Sequence, residues 1–121
     1  MKDQISLRER YLQESLPSRL GELAANLARI KSSSSNLLHE ALVKHLIEES
    51  QLYIQWTIGD TEAETAFVLR SLQGQLSQWQ QNWSVIWVDA LQRMERAEQA
   101  NVWSERILEL SGLLSESTIS A

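Results

Sequence analysis

The sequence predicts an all-α protein, folded as an antiparallel helical bundle of three long helices plus a short C-terminal helix. Between residues 61 and 97, apolar side chains recur at alternating steps of four and three, which places them on one side of a helix. The 121 residues include one proline and four glycines, so few residues interrupt helices. We expect a single domain over residues 1–116 and a short flexible tail over residues 117–121.

The first helical segment carries apolar residues on one face from Ile5 to Ile30, interrupted by Pro17. Proline removes a helical hydrogen-bond donor and disfavours helix at the residue before it. The segment is therefore predicted to be either one kinked helix or a short helix followed by a second one that Ser15 caps. A loop is predicted at residues 32–36, because serine and asparagine favour caps and turns.

The second helix is expected to end near Ile58, with Gly59 in the left-handed conformation that commonly follows a helix. This helix has two apolar faces, and such a helix is central in its bundle or shared with a second subunit. We therefore expect a two-fold homodimer. The candidate dimer face is the second apolar face, which we expect to be buried between subunits or against the fourth helix. It comprises Val43, Ile47, Ile54 and Ile58.

The third helix is predicted to start at a capping box formed by Thr61 and Glu64. If continuous to about Ala97, it would be roughly 55 Å long. Beyond Ala97 the apolar residues move to the opposite side of the extrapolated helix. We therefore expect a break near Asn101, followed by a short fourth helix that contains Trp103.

Three tryptophans, Trp79, Trp83 and Trp87, follow one another at steps of four on one edge of the third helix. Such a row suits a platform for a planar ligand or a sugar, or an anchor for a protein partner. The alternative is core packing, which the phase of the apolar residues favours. On that interpretation Trp79 and Trp83 are largely buried, and Trp87 is more marginal.

His45 and Glu49 are the ionisable residues in the middle of an apolar stripe, and they lie one turn apart. They could act as metal ligands or as an acid–base pair. A di-iron bundle would need Glu-x-x-His on two helices, and neither His39 nor His45 has glutamate at that spacing. We expect a buried or interfacial pair that fixes helix register, with no metal and no cofactor.

Composition excludes several classes of function. The chain has no cysteine, which excludes thiolate catalysis and thiolate metal sites, and its four glycines stand singly, so there is no phosphate-binding loop. A net charge of −5 argues against nucleic-acid binding, and no apolar run approaches the roughly 20 residues of a membrane span. We expect a cytoplasmic, non-enzymatic protein that acts through protein–protein interaction. The alternative is a small-molecule-binding bundle with an apolar, tryptophan-lined site.

Overall fold

The computed structural model describes residues 2–113, with side chains from Ser6 onward. The described part of the chain is all-α, as predicted, and holds no strand. The predicted tail over residues 117–121 lies outside it. Six α-helices and two 3-10 turns make up the fold: α1 (Lys2–Gln13), α2 (Leu16–Ser33), a turn (Leu37–His39), α3 (Glu40–Thr57), a turn (Ile58–Asp60), α4 (Ala63–Gln81), α5 (Trp83–Val88) and α6 (Ala90–Ser111).

Four of these helices, α2, α3, α4 and α6, form an antiparallel bundle, and each is 18 to 22 residues long. Two contacts show that α2 and α6 are antiparallel, because the later residue of α2 meets the earlier residue of α6. Lys31 Nζ lies 3.7 Å from Glu98 Oε2, and Ser104 Oγ donates to the Ala24 carbonyl at 2.7 Å. The bundle therefore has four long helices, where three long helices and a short one were expected.

The expected continuous helix from residue 61 to residue 97 is wrong, because the chain turns at Asn82 and again at Asp89. Asn82 Nδ2 donates to the Gln78 carbonyl at 3.0 Å and so provides a hydrogen-bond donor for a backbone carbonyl in the last turn of α4. Asp89 caps α6, where its Oδ1 accepts from the Gln92 amide at 3.1 Å. Asparagine and aspartate favour such positions because their short side chains can bond to free backbone groups.

The predicted break near Asn101 is also wrong, because α6 runs through this residue without interruption. The buried face seemed to change because the prediction treated α4 and α6 as one straight helix, although the chain turns between them at Asp89. Within α6 the buried side is continuous and uses small residues close to α2. Its members are Ala97, Ala100, Ser104, Ile107 and Ser111.

The chain breaks before Pro17, so the second of the two alternatives for the first segment is the one observed. Helix α1 ends at Gln13 and α2 begins at Leu16. Ser15 is the N-cap of α2 and accepts from the Ser18 amide at 3.3 Å. Pro17 then lies in the first turn of α2, where a backbone N–H would have no partner within the helix, so the missing donor costs no helical hydrogen bond.

Two other predicted helix ends differ from the structure. Gly59 does not adopt a left-handed conformation, and the positive φ of +82° among the described glycines belongs to Gly112, after α6. Thr61 Oγ1 donates to the Ile58 carbonyl at 2.8 Å, and the N-cap of α4 is Glu62, which makes no side-chain cap bond. The predicted capping box is therefore absent.

The core runs along the whole bundle and is built from aliphatic side chains of α2, α3, α4 and α6, with aromatic residues near both ends. Its most deeply buried members include Leu23, Leu27, Ile47, Ile54, Leu69, Leu72, Leu76 and Ile107.

Among the described residues, none of the helices combines the length and the apolar character that crossing a bilayer requires.

Candidate functional site

One end of the bundle, here called the tryptophan end, comprises residues 34–42 and residues 82–94. Two hydrogen bonds join these segments, which are distant in sequence. Trp83 Nε1 donates to Glu40 Oε2 at 2.8 Å, and Arg93 Nε donates to the Ser34 carbonyl at 3.0 Å. Because α5 is short and bounded by turns at Asn82 and Asp89, its tryptophans lie across the end of the bundle.

Beneath the surface of this end, Trp83 and Trp87 stack on each other. Their ring centroids are 5.2 Å apart and their planes differ by 14°. The Arg93 guanidinium lies 5.5 Å from the Trp87 ring centroid and donates to the Trp87 carbonyl at 2.7 Å. Stacking, cation–π attraction and hydrogen bonds therefore hold these rings in one arrangement.

The exposed layer of the tryptophan end contains many large apolar side chains, which lie beside polar ones such as His39, Glu40 and Ser84. Seven of the ten exposed large apolar side chains in the described part of the chain lie here. They occupy the segment before α3, the start of α3, and the outer sides of α5 and early α6. The seven are Leu37, Leu38, Leu42, Val85, Val88, Leu91 and Met94.

The expected burial of the three tryptophans is right for Trp79 and wrong for the other two. Trp79 and Trp87 are each 3% exposed, whereas Trp83 is half-buried. The expectation assumed one helix through all three residues. Because the chain turns at Asn82, Trp87 points into the core, and Trp83 keeps its indole nitrogen at the surface.

His45 and Glu49 do lie side by side, with His45 Nε2 3.5 Å from Glu49 Oε2. The His45 side chain is 66% exposed, however, so the expected burial within the bundle is wrong for this residue, while an interfacial position stays a prediction. Glu49 is the more buried partner and accepts from Asn26 Nδ2 at 3.0 Å, which links α3 to α2. No group of three or more histidine, aspartate or glutamate side chains suited to a metal ion occurs among the described residues.

The candidate dimer face is largely occupied within the single chain. Val43, Ile47 and Ile54 are at most 2% exposed, and Ile58 is half-buried. Val43 and Ile47 contact the same small interior space as Trp79. The second apolar face of α3 is thus met by other helices of the same chain, and these residues are not available to a second subunit.

The opposite end of the bundle, here called the tyrosine end, is closed by a network of polar contacts. The Tyr11 hydroxyl donates to the Arg19 carbonyl at 2.8 Å and accepts from Thr57 Oγ1 at 3.0 Å. Arg19 Nη1 lies 3.0 Å from Asp60 Oδ2. The Tyr11 ring stacks on Tyr53 with centroids 4.0 Å apart. Sequence patterns gave no signal for this network, because its members come from four separate segments.

Burial raises the pKa of both tyrosines. Desolvation raises the pKa of Tyr11 from 10.0 to about 12, and the hydrogen bond from Thr57 offsets part of that rise. Desolvation also raises the pKa of Tyr53, and the nearby Glu49 carboxylate adds to the shift. Both hydroxyls are therefore neutral at physiological pH and serve as hydrogen-bonding groups.

The interior of the tryptophan end leaves little space for a ligand. The space lined by Trp79, Trp83 and Trp87 has a volume of about 10 Å³. That is close to the roughly 10–15 Å³ needed for a single water molecule. More open cavities lie at the surface, among them one of about 160 Å³ between Lys44, Glu48 and Trp83.

Comparison with protein-family models, with curated proteins and with solved structures found no match to this chain.

Proposed function

We propose that this protein acts through protein–protein interaction, with the tryptophan end as the contact surface. The observation that supports the proposal is the concentration of exposed apolar side chains on two segments that hydrogen bonds hold together. Leu38 is 90% exposed, and Val88 is 74% exposed. Scattered apolar residues are normal on a protein surface, whereas grouped ones are typical of interaction sites.

The layer beneath the exposed residues also suits a contact surface. Trp83 and Trp87 are held by stacking and by bonds to Glu40 and from Arg93, so the backbone that carries Val85 and Val88 is fixed. A surface that is already ordered loses little conformational entropy when a partner binds. This arrangement favours recognition over catalysis, and we propose a non-enzymatic role.

A homodimer remains part of the proposal, but through different residues. Since Val43, Ile47 and Ile54 are buried within the chain, the proposed contact with a second copy is the exposed apolar layer of the tryptophan end. Light scattering at micromolar concentrations tests this directly. A mass of 13.9 kDa at all concentrations would limit the surface to other partners.

The main test is affinity capture from native cells with the wild-type chain and a Val88→Ser/Leu91→Ser variant as baits. Phe67→Ser is the matched control, because Phe67 is 67% exposed but lies near the start of α4, at the tyrosine end. We expect the same partner with the wild type and with the control, and its loss with the double variant. Equal recovery by all three baits would contradict the proposal.

A further inference from the structure

Arg96 differs from the other partly buried arginines of the described chain. Its side chain is half-buried, yet among the described residues it donates no hydrogen bond and forms no ion pair. Arg19, by contrast, pairs with Asp60, and Arg93 donates to two backbone carbonyls. None of the Arg96 guanidinium nitrogens is both fully buried and unpartnered, so its donors are accessible to an acceptor on a ligand.

Arg96 lines an open cavity of about 240 Å³ at the surface of the tryptophan end. Its lining combines apolar side chains with side-chain amides. Besides Arg96, the lining residues are Trp79, Val85, Ile86, Gln78, Asn82 and Gln92. Guanidinium and amide groups can donate several hydrogen bonds, and a guanidinium matches a carboxylate with two parallel bonds. The expected ligand group is therefore a carboxylate next to an apolar body.

The size of the cavity decides between two sources of such a carboxylate. Sites for drug-sized molecules and cofactors usually measure about 300–1,000 Å³. The cavity here is smaller, at about 240 Å³, and suits a single side chain. It also shares Val85 with the exposed apolar layer of the tryptophan end, so a partner lying on that layer would reach it.

We propose that the Arg96 cavity receives an aspartate or glutamate side chain of a protein partner, while a neighbouring apolar side chain of that partner packs near Val85. This inference rests on the proposed function, and it specifies the chemistry of the partner. None of the described acids pairs with Arg96, although 16 acidic residues outnumber 11 basic ones in the whole chain.

The test uses two capped dipeptides, acetyl-Leu-Glu-amide and acetyl-Leu-Gln-amide, titrated into the full chain and followed by NMR. We expect the glutamate peptide to shift the Arg96 Nε–H and Trp79 indole signals. It should bind about fivefold more tightly than the glutamine peptide, which corresponds to about 1 kcal/mol. Arg96→Gln should remove this preference. Arg70→Gln is the matched control on the exposed side of α4 and should retain it.

Several results would overturn the inference. These are equal affinity for the two peptides, no shift with either, an unchanged preference in Arg96→Gln, or an equal loss in Arg70→Gln. Hexanoate binding as tightly as the glutamate peptide would assign the cavity to free carboxylic acids. Failure of this inference is distinguishable from failure of the proposed function. The proposed function fails if the Val88→Ser/Leu91→Ser variant still captures the partner, and that measurement uses neither peptide. Thermal unfolding of Arg96→Gln should match the wild type and so exclude a folding defect.

Discussion

At the tyrosine end, hydrogen bonds join α1, α2 and α3, whereas at the tryptophan end many large apolar side chains face water. Both ends use a stacked aromatic pair, Tyr11 with Tyr53 and Trp83 with Trp87. The tyrosine pair lies under a polar network that includes Thr57. The tryptophan pair lies under a layer that has no partner within the described chain.

On the proposed function, this difference separates stability from recognition within one bundle. Hydrogen bonds between distant segments, such as those of Tyr11, close the tyrosine end, where fewer large apolar side chains face solvent than at the tryptophan end. At the tryptophan end the buried ring of Trp87 supports the fold, and the residues outside it add little to stability. Those outer residues are therefore free to serve contact with other molecules.

The largest expected effect tests the layering of the tryptophan end. Trp87→Ala should lower the free energy of unfolding by about 3–5 kcal/mol, because it removes a buried ring and leaves a cavity. That is a large share of the roughly 5–15 kcal/mol that stabilises a domain. Trp83→Ala should cost clearly less, since Trp83 is half-buried. Urea unfolding of both variants measures the difference, and equal costs would show that the two rings do not form separate layers.

The second effect concerns the tyrosine end at alkaline pH. Below pH 10 Tyr11 is protonated in both the folded and the unfolded chain, so its ionisation does not affect stability. Between pH 10 and about pH 12 the unfolded chain loses this proton first, and the free energy of unfolding falls. Two units of pKa correspond to at most about 2–3 kcal/mol.

Tyr11→Phe provides the control for this pH dependence. The variant cannot ionise at this position, so its stability should fall less steeply than that of the wild type between pH 10 and pH 11.5. Groups that titrate in both proteins cancel in the comparison. Parallel curves for the two proteins would show that Tyr11 ionisation is not coupled to folding.

A smaller effect is expected for the hydrogen bond between Tyr11 and Thr57 at neutral pH. Tyr11→Phe should cost about 1–2 kcal/mol, because it removes this bond and leaves the Arg19 carbonyl without its donor. A double-mutant cycle with Thr57→Val isolates the pair. The two substitutions should be less than additive, and strict additivity would mean that the bond contributes nothing measurable.

The smallest effect is expected at the exposed layer of the tryptophan end. Val88→Ser should change the free energy of unfolding by no more than about 0.5 kcal/mol, because the side chain is already in water. Val43→Ser is the matched control, since Val43 is 2% exposed, and it should be strongly destabilising. A large loss with Val88→Ser would mean that the exposed layer supports the fold, and the proposed separation of roles would fail.

Predicting the helices from sequence succeeded where one periodic pattern matched one helix, as in α2 and α3. It failed between Gln78 and Arg93, where the apolar pattern continues in phase although the chain turns twice. Asn82 and Asp89 are the local signals of those turns. Each is a common surface residue of helices as well as a cap residue, so neither could indicate a break without knowledge of the packing.

The candidate site was predicted less well than the fold. The sequence drew attention to Trp83 and Trp87, but it placed Trp83 in the core and Trp87 nearer the surface, the reverse of their arrangement. It gave no indication of Arg96 or Tyr11. The environment of both depends on residues far away in the chain, Gln78 and Asn82 for Arg96 and Thr57 for Tyr11.

By itself the sequence determined that this chain is all-α, because helix propensity and apolar periodicity are local properties that twenty residues suffice to express. Only the tertiary structure decided that the second face of α3, with Val43 and Ile47, is covered within the chain, while Leu38 and Val88 are left exposed. Apolar residues of both kinds look alike in the sequence. Which of them meets another helix depends on how α5 and α6 turn at Asn82 and Asp89, and that direction is set by contacts between distant segments.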